Sequence, residues 1–317
     1  MGNCYTLDNT THTSISSSDL RNLSLLLLNA SEYYDDDYNA WDYENYTDFS
    51  SPCYSYFCPF LSRAGPPFLA TASALALLSN LAAGVALAMY PRVWGDPPRR
   101  ALACQLTLST AIFAALLPFF TVGISQGWVF GINFCQLAYM LWHSSLFAQG
   151  HLVASSTAST LWDKQGPWSS GVATALWLVA LLLATPAAML SNVLGDTHMS
   201  CVLRTNSLSP LYVAHVTICL AIFILLPVML GLAKVALKWC WSSWAPRVSL
   251  AWVFFLLWTP YTMALLLDFL QNRQLLAPTC AFREGLNFFL GVSQGLGVLH
   301  CCLGPLLLLG AGLCQRV

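Results

Sequence analysis

Long stretches without a charged residue recur along the chain and predict its secondary structure. Five stretches of 20 to 31 residues each lie between two charged residues, and one of 62 residues lies between Arg100 and Asp163. A helix of about 20 apolar residues crosses a bilayer, and a charge at its centre costs about 2.5–3.5 kcal/mol. Each shorter stretch therefore predicts one spanning helix, and the long one predicts two, divided by the polar residues 123–133. The predicted spans are 68–90, 101–122, 135–160, 171–190, 209–233, 248–270 and 284–312.

The overall composition also indicates a membrane protein. Hydrophobic residues make up 57% of the 317 residues and charged residues only 9%, against about 25% charged residues in soluble domains. These proportions exclude an ordinary soluble enzyme and a nucleic-acid-binding protein, and they make the lipid bilayer the expected surroundings. We therefore predict an all-α membrane protein built as a seven-transmembrane helix bundle.

Two independent patterns orient the seven spans across the membrane. The loops that follow the first, third and fifth spans, together with the C-terminal tail, hold eight Lys and Arg residues, and the opposite loops hold three. Basic residues collect on the cytoplasmic side, so the N-terminus is predicted to be extracellular. The glycosylation pattern N-x-[ST] occurs four times, always before residue 63, as expected for an extracellular segment. The candidate acceptors are Asn9, Asn22, Asn29 and Asn45.

Residues 1–62 form an acidic arm that differs in composition from the transmembrane domain, residues 63–317. The arm contains nine acidic residues and one basic residue, and the domain contains five acidic and twelve basic residues, which gives net charges near −8 and +7. The first thirty residues are rich in Ser, Thr and Asn, which predicts disorder, and acids then alternate with tyrosines. Such a segment suits the capture of a basic protein, and a solubilising, glycan-bearing tail is the alternative interpretation. The candidate contact residues are Tyr33, Tyr34, Asp35, Asp36, Asp37, Tyr38, Asp42, Tyr43 and Glu44.

The polar residues inside the predicted spans do not match a catalytic or metal-binding motif. Their ionisable members are histidines, and no acidic residue lies in the middle of a span beside them. H-E-x-x-H does not occur in the chain, and G-x-S-x-G occurs at residues 123–127 and 291–295, but neither occurrence follows a predicted strand, the setting that this motif requires. We therefore expect these histidines to pack or to form hydrogen bonds, and we expect no enzyme activity, no cofactor and no metal. The histidines are His143, His151, His215 and His300.

The twelve cysteines divide according to the predicted topology. Several lie at the extracellular face, where disulfides persist, although one sequence cannot prove which cysteines pair. The position of Cys135 at the start of the third span favours a bond to Cys201 in the second extracellular loop. A second natural bond joins Cys53 to Cys280 and would tie the acidic arm to the last extracellular loop. Cys58 is the rival partner of Cys280.

Several motifs together resemble the chemokine receptors, a family of rhodopsin-like seven-transmembrane receptors. Residues 128–131 (W-V-F-G) followed by Cys135 are similar to the family motif of the first extracellular loop. Residues 300–305 (H-C-C-L-G-P) are similar to the motif of the seventh span, and residues 258–260 (W-T-P) to that of the sixth. The acidic, tyrosine-rich arm fits the same family. The resemblance implies a rhodopsin-like bundle and chemokine ligands.

The chain lacks the residues that switch signalling relatives into their active state. The D-R-Y motif at the end of the third span is replaced by uncharged residues, and the aspartate of the second span is replaced by a threonine. The N-P-x-x-Y motif of the seventh span has lost its asparagine and its tyrosine. These departures resemble the atypical, scavenging chemokine receptors and imply no coupling to G proteins. The altered positions are Thr110, Ser159, Thr160, Leu161, Gly304 and Leu308.

The resemblance implies a mode of ligand binding and a cellular role. A chemokine would meet the acidic arm first, and its N-terminus would then reach a pocket near Asp268, Glu284 and Gln294. The implied role is promiscuous binding of CC and CXC chemokines, followed by sequestration, internalisation or transcytosis. The implied locations are the plasma membrane and early and recycling endosomes, and homo- or hetero-oligomers with other chemokine receptors are possible. The alternative is a G-protein-signalling chemokine receptor with divergent switch motifs.

Overall fold

The structure is a computed structural model that describes residues 56–90, 97–161, 170–195, 199–204, 209–240, 250–276 and 279–314. The helices are α1 (Phe57–Met89), α2 (Pro97–Ser125), α3 (Gly131–Leu161), α4 (Ser170–Leu190), α5 (Pro210–Leu220), α6 (Leu226–Cys240), α7 (Leu250–Asn272), α8 (Cys280–Val298) and α9 (His300–Cys314). A π-helical turn, Ala221–Leu225, joins α5 and α6 into one span. Helices α8 and α9 follow each other directly and also make one span, so that the described residues form spans 1 to 7.

Helix α3, which is span 3, lies at the centre of the bundle. The other six spans each contain a helical stretch long and apolar enough to cross a membrane. Helix α3 is less apolar because it carries polar side chains such as His143, Ser145 and Gln149, all of which are buried. It packs against helices α2, α4, α6 and α7, so little of its middle needs to match the apolar lipid. The seven-transmembrane bundle predicted from the sequence is confirmed.

The first span begins earlier than its predicted start at residue 68. Helix α1 starts at Phe57 and continues through Pro66 and Pro67. Phe57 is almost fully buried and its ring lies 5.3 Å from that of Phe288 in span 7. Packing against a distant helix therefore extends α1 beyond its prolines.

A β-hairpin, which the sequence did not predict, follows span 4. Strand β1 (Ser191–Leu194) pairs antiparallel with β2 (Ser200–Leu203), and Val193 lies opposite Cys201. Strands of four residues give too short an alternation of polar and apolar residues to stand out in a sequence.

Two prolines inside spans leave carbonyl groups that accept hydrogen bonds from neighbouring spans. Pro227 cannot donate to the carbonyl of Phe223, and the hydroxyl of Thr259 in span 6 donates to that oxygen over 3.2 Å. Pro305 likewise leaves the Cys301 carbonyl free, and the amide of Asn80 in span 1 donates to it over 3.1 Å. Polar side chains thus satisfy carbonyl oxygens that the bilayer could not.

Candidate functional site

A disulfide holds the start of span 3, its predicted extracellular end, to the β-hairpin. Cys135 is fully buried and is bonded to Cys201, with 5.7 Å between their Cα atoms. This is the pairing that the sequence favoured. The bond fixes the hairpin at this end of the bundle.

Trp128 fills the space between the first extracellular loop and the hairpin. Its backbone N–H donates to the Met199 carbonyl over 2.6 Å, and its indole N–H donates to the Gly131 carbonyl over 2.9 Å. Gly131 has a φ of +76°, a conformation that favours glycine. Gly123 is also required, because a Cβ at this position would lie 2.9 Å from the Trp128 ring. The W-x-F-G motif therefore builds a rigid rim beside the disulfide.

Asp268 lies near the C-terminal end of span 6, which is its predicted extracellular end, and links it to span 5. Its Oδ2 accepts a hydrogen bond from the Tyr212 hydroxyl over 2.7 Å and a second from the Asn272 amide over 3.1 Å. Tyr212 is fully buried, and the Asp268 side chain is half-buried. The carboxylate is thus held in place by two neutral donors, as a preorganised site for a cationic ligand group would be.

Glu284 caps the first helix. Its Oε1 accepts hydrogen bonds from the backbone N–H groups of Tyr56 and Phe57, each over 2.8 Å. A carboxylate at a helix N-terminus pairs with N–H groups that lack partners within the helix and with the positive end of the helix dipole. Glu284 therefore joins the predicted extracellular end of span 7 to residues 56 and 57, near the end of the predicted arm.

The third predicted pocket residue, Gln294, is half-buried on the same helix as Glu284. The two are ten positions apart, or about 15 Å along the axis at 1.5 Å per residue. Among the described contacts, Asp268 bonds to spans 5 and 6, and Glu284 bonds to the start of span 1. The three residues therefore do not form one cluster of hydrogen bonds.

The predicted contact residues, glycosylation acceptors and one predicted disulfide partner of the arm lie outside the described residues. Cys280 is disulfide-bonded, and so is Cys58. The bond between Cys53 and Cys280 stays a prediction. The residues outside the described part are Tyr33, Tyr34, Asp35, Asp36, Asp37, Tyr38, Asp42, Tyr43, Glu44, Asn9, Asn22, Asn29, Asn45 and Cys53.

Deep in the bundle, Thr110 belongs to a neutral network between spans 1, 2 and 7. Its hydroxyl donates to Asn80 Oδ1 over 2.5 Å and also lies 3.0 Å from two carbonyl oxygens of its own helix. Asn80 in turn donates to the Cys301 carbonyl. The Thr110 hydroxyl and the Asn80 amide therefore bond to each other at the position where the resemblance predicted the loss of an aspartate.

The other altered switch positions lie towards the predicted cytoplasmic ends of spans 3 and 7. Helix α3 continues through Ser159, Thr160 and Leu161 to its end. Gly304 and Leu308 in helix α9 line a cavity of about 220 Å³, together with Thr110 and residues of spans 3 and 6. A glycine and a leucine at these positions supply no hydroxyl or amide to a hydrogen-bonded switch.

The predicted histidines take up several positions in the bundle. His143 and His215 meet edge to face with 4.8 Å between ring centroids, and His215 Nε2 lies 3.8 Å from the Cys219 sulfur. His300 packs against Phe113 with 4.7 Å between centroids. In the part of the chain that the structure describes, no three His, Cys, Asp or Glu side chains are placed to hold a metal ion.

Two sets of hydrogen bonds between spans were not predicted, because they involve uncharged polar residues within the spans. Asn80 connects three spans, as described above. The indole N–H of Trp177 in span 4 donates to Gln105 Oε1 in span 2 over 2.9 Å. Polar residues in otherwise apolar stretches were the signal that could have identified both.

Comparison with known proteins found relatives of nearly full length. The chain is 31% identical over 315 residues to a protein of Papio hamadryas named Atypical chemokine receptor 1, with 97% of this chain and 90% of the relative covered. A protein of the same name from Homo sapiens is 30% identical over 316 residues, with 97% of this chain and 90% of the relative covered. One from Mus musculus is 30% identical over 290 residues, with 86% of this chain and 84% of the relative covered. No protein-family model matches the chain.

Proposed function

Because the chain belongs to the family of atypical chemokine receptor 1, the Duffy antigen, it is a chemokine receptor, and we propose that it binds CC and CXC chemokines without activating G proteins. It removes its ligands from the surrounding fluid by sequestration, internalisation or transcytosis. Its relatives belong to a class of receptors that is not an enzyme family.

The loss of the family's switch residues at three sites carries this proposal. Signalling relatives have an aspartate in the second span, D-R-Y in the third and N-P-x-x-Y in the seventh. Here the second-span position is Thr110, whose hydroxyl is bonded to Asn80, and the seventh-span positions are Gly304 and Leu308. The third-span positions 159–161 carry no charge. All three sites have changed together, so no G-protein response is expected.

The acidic arm supplies the attraction for basic ligands. A net charge near −8 on residues 1–62 raises the rate of encounter with a positively charged chemokine, and the tyrosines add contact area at low entropic cost. Exposed charges are screened beyond about 8 Å at physiological ionic strength. Association should therefore slow steeply as salt is raised, while dissociation changes less.

The bundle supplies the second contact. Hydrogen bonds from Tyr212 and Asn272 fix the position of the Asp268 carboxylate, and Gln294 is half-buried. We infer that a ligand amine binds the carboxylate and that the N-terminal segment of the chemokine contacts Gln294. Glu284 is engaged at the N-terminus of helix α1, so its contribution is to hold residues 56 and 57 against span 7. We assign ligand contact to Asp268 and Gln294, and anchoring to Glu284.

Chemokine binding to matched arm variants tests the proposal. Asp35→Asn with Asp37→Asn removes two charges beside the tyrosines, and Asp8→Gln with Asp19→Asn removes two charges away from them without creating a glycosylation pattern. Surface plasmon resonance at low and physiological salt should give an on-rate about tenfold lower for the first pair and a small change for the second. Unchanged on-rates for both pairs at low salt would contradict the role of the arm.

Uptake distinguishes a scavenger from a passive binder. In cells that carry the receptor, labelled CC and CXC chemokines should move from the plasma membrane to early and recycling endosomes. Loss of the label from the medium, without a G-protein response, is the expected result. A chemokine-dependent G-protein response would instead favour a signalling receptor with divergent motifs. Co-purification with differently tagged copies or with other chemokine receptors would identify oligomers.

A further inference from the structure

The cavity beside the altered switch positions is lined by two polar atoms that have no hydrogen-bond partner in the part of the chain that the structure describes. Gln149 in span 3 and His300 in span 7 line it, and each side chain is only 3% exposed. Gln149 Nε2 and His300 Nε2 have no hydrogen-bond partner among the described residues. A buried polar atom without a partner costs about 1–3 kcal/mol, so two of them on one cavity indicate that something else bonds to them.

The two unpartnered atoms have complementary chemistry. His300 Nδ1 lies 2.6 Å from the Gly297 carbonyl oxygen, closer than the 3.2 Å that separates it from the Trp258 indole nitrogen. The shorter contact assigns the ring proton to Nδ1, which leaves Nε2 as a hydrogen-bond acceptor. The amide nitrogen of Gln149 is a donor. One hydroxyl group can donate to the histidine and accept from the glutamine.

The remaining lining limits the charge and shape of the occupant. No Asp, Glu, Lys or Arg is among the described residues that line the cavity, so an ion would find no opposite charge. Most of its wall is apolar, formed by side chains such as Leu102, Leu106 and Val253. Water would bond to the two polar atoms but not to this wall. The volume of about 220 Å³ exceeds the roughly 150 Å³ of an engineered apolar cavity that binds benzene.

We propose that this cavity, which we call the switch cavity, binds a small uncharged molecule with an apolar body and one hydroxyl group. The hydroxyl bonds to Gln149 and His300, and the apolar body fills the space left by Gly304 and Leu308. The site is separate from the extracellular ligand site, and its occupancy does not depend on a chemokine.

Cyclohexanol and methylcyclohexane form a matched pair of probes, because they differ in a hydroxyl group at similar size. Binding of each to the purified receptor in phosphatidylcholine nanodiscs is measured by ligand-detected NMR. Cyclohexanol should bind about tenfold more tightly. Gln149→Leu removes an unpartnered donor, so it should fold normally and lose most of this preference. Gln271→Leu is the matched control, since Gln271 Nε2 is also buried and unpartnered among the described residues but does not line the cavity.

Filling the cavity gives an independent test. A Cβ at Gly304 would meet only the Thr110 methyl group, at 3.9 Å, so Gly304→Leu can place its side chain in the cavity. This variant should bind neither probe, and Gly304→Ala serves if the leucine variant does not fold. Equal binding of both probes to the wild type, or undiminished cyclohexanol binding to the filled variant, would overturn the proposal.

The source of the hydroxyl compound is tested with two routes of delivery. Cyclohexanol added to the buffer represents an aqueous source, and dodecanol incorporated into the nanodisc represents a bilayer source. If dodecanol in the nanodisc binds the wild-type receptor but not Gly304→Leu, and buffer cyclohexanol binds neither, the natural occupant is a membrane alcohol. Binding of buffer cyclohexanol alone indicates a soluble one. Binding of neither compound to the wild type would contradict the site.

Discussion

We predict that Asn80→Leu destabilises the bundle, because the Asn80 side chain joins spans 1, 2 and 7. Its amide donates to the Cys301 carbonyl, and its Oδ1 accepts from Thr110. Hydrogen bonds between membrane helices contribute about 0.6 kcal/mol on average and up to about 1.7 kcal/mol. Loss of both bonds, with a buried carbonyl left unpaired, should lower the free energy of unfolding by about 1–3 kcal/mol.

Thermal unfolding in detergent micelles measures this loss. A thiol-reactive dye reports unfolding, since Cys219 and Cys301 are buried and become accessible. Asn80→Leu should lower the melting temperature by several degrees. Ser79→Ala is the control, because the neighbouring Ser79 hydroxyl bonds to Ala76 of its own helix and its loss should matter little.

A Pro305→Ala background tests whether the destabilisation comes from the lost hydrogen bond to the Cys301 carbonyl. Pro305→Ala restores an N–H four residues after Cys301, and this N–H can bond to the Cys301 carbonyl within the helix. In that background Asn80→Leu should cost about half as much, because the carbonyl keeps a partner. An equal loss in both backgrounds would refute the claim that Asn80 replaces the bond that Pro305 cannot make.

Three further predictions follow from contacts in the same structure. Thr259→Val should lower the melting temperature by a few degrees, and less when Pro227→Ala is also present; an additive loss would contradict the hydrogen bond to Phe223. Glu284→Gln should weaken the cap of helix α1 by about 0.5–2 kcal/mol, measured as faster hydrogen exchange of the backbone amides at residues 56–60. Unchanged exchange would contradict the role of Glu284 as the cap. Cys201→Ser should destabilise the receptor by roughly 2–4 kcal/mol, measured as reduced surface expression by flow cytometry, and normal expression would contradict it.

The number of spans could be predicted because the bilayer excludes charge. Each stretch without Asp, Glu, Lys or Arg became one span, and the 62-residue stretch became two, divided near Trp128. Helix α3 was predicted from its lack of charge, although its mean hydropathy is lower than that of the other spans. Charge was therefore the more reliable signal for a helix that other helices surround.

Features that depend on contacts between distant residues could not be predicted. The start of helix α1 depends on Glu284 and on packing between Phe57 and Phe288, more than 200 residues apart in the chain. Glu284 itself was expected in a ligand pocket, because the resemblance to chemokine receptors implies a pocket near that position. Its role as a cap is visible only once spans 1 and 7 are placed side by side.

Guanine nucleotide exchange in a reconstituted system tests the central claim most directly. Purified receptor in nanodiscs is mixed with a heterotrimeric G protein and a chemokine whose binding has been measured on the same preparation. We predict saturable chemokine binding with no increase in nucleotide exchange over empty nanodiscs, because positions 110, 159–161, 304 and 308 lack the groups that drive activation. A chemokine-dependent increase in exchange by the unmodified chain would contradict the account.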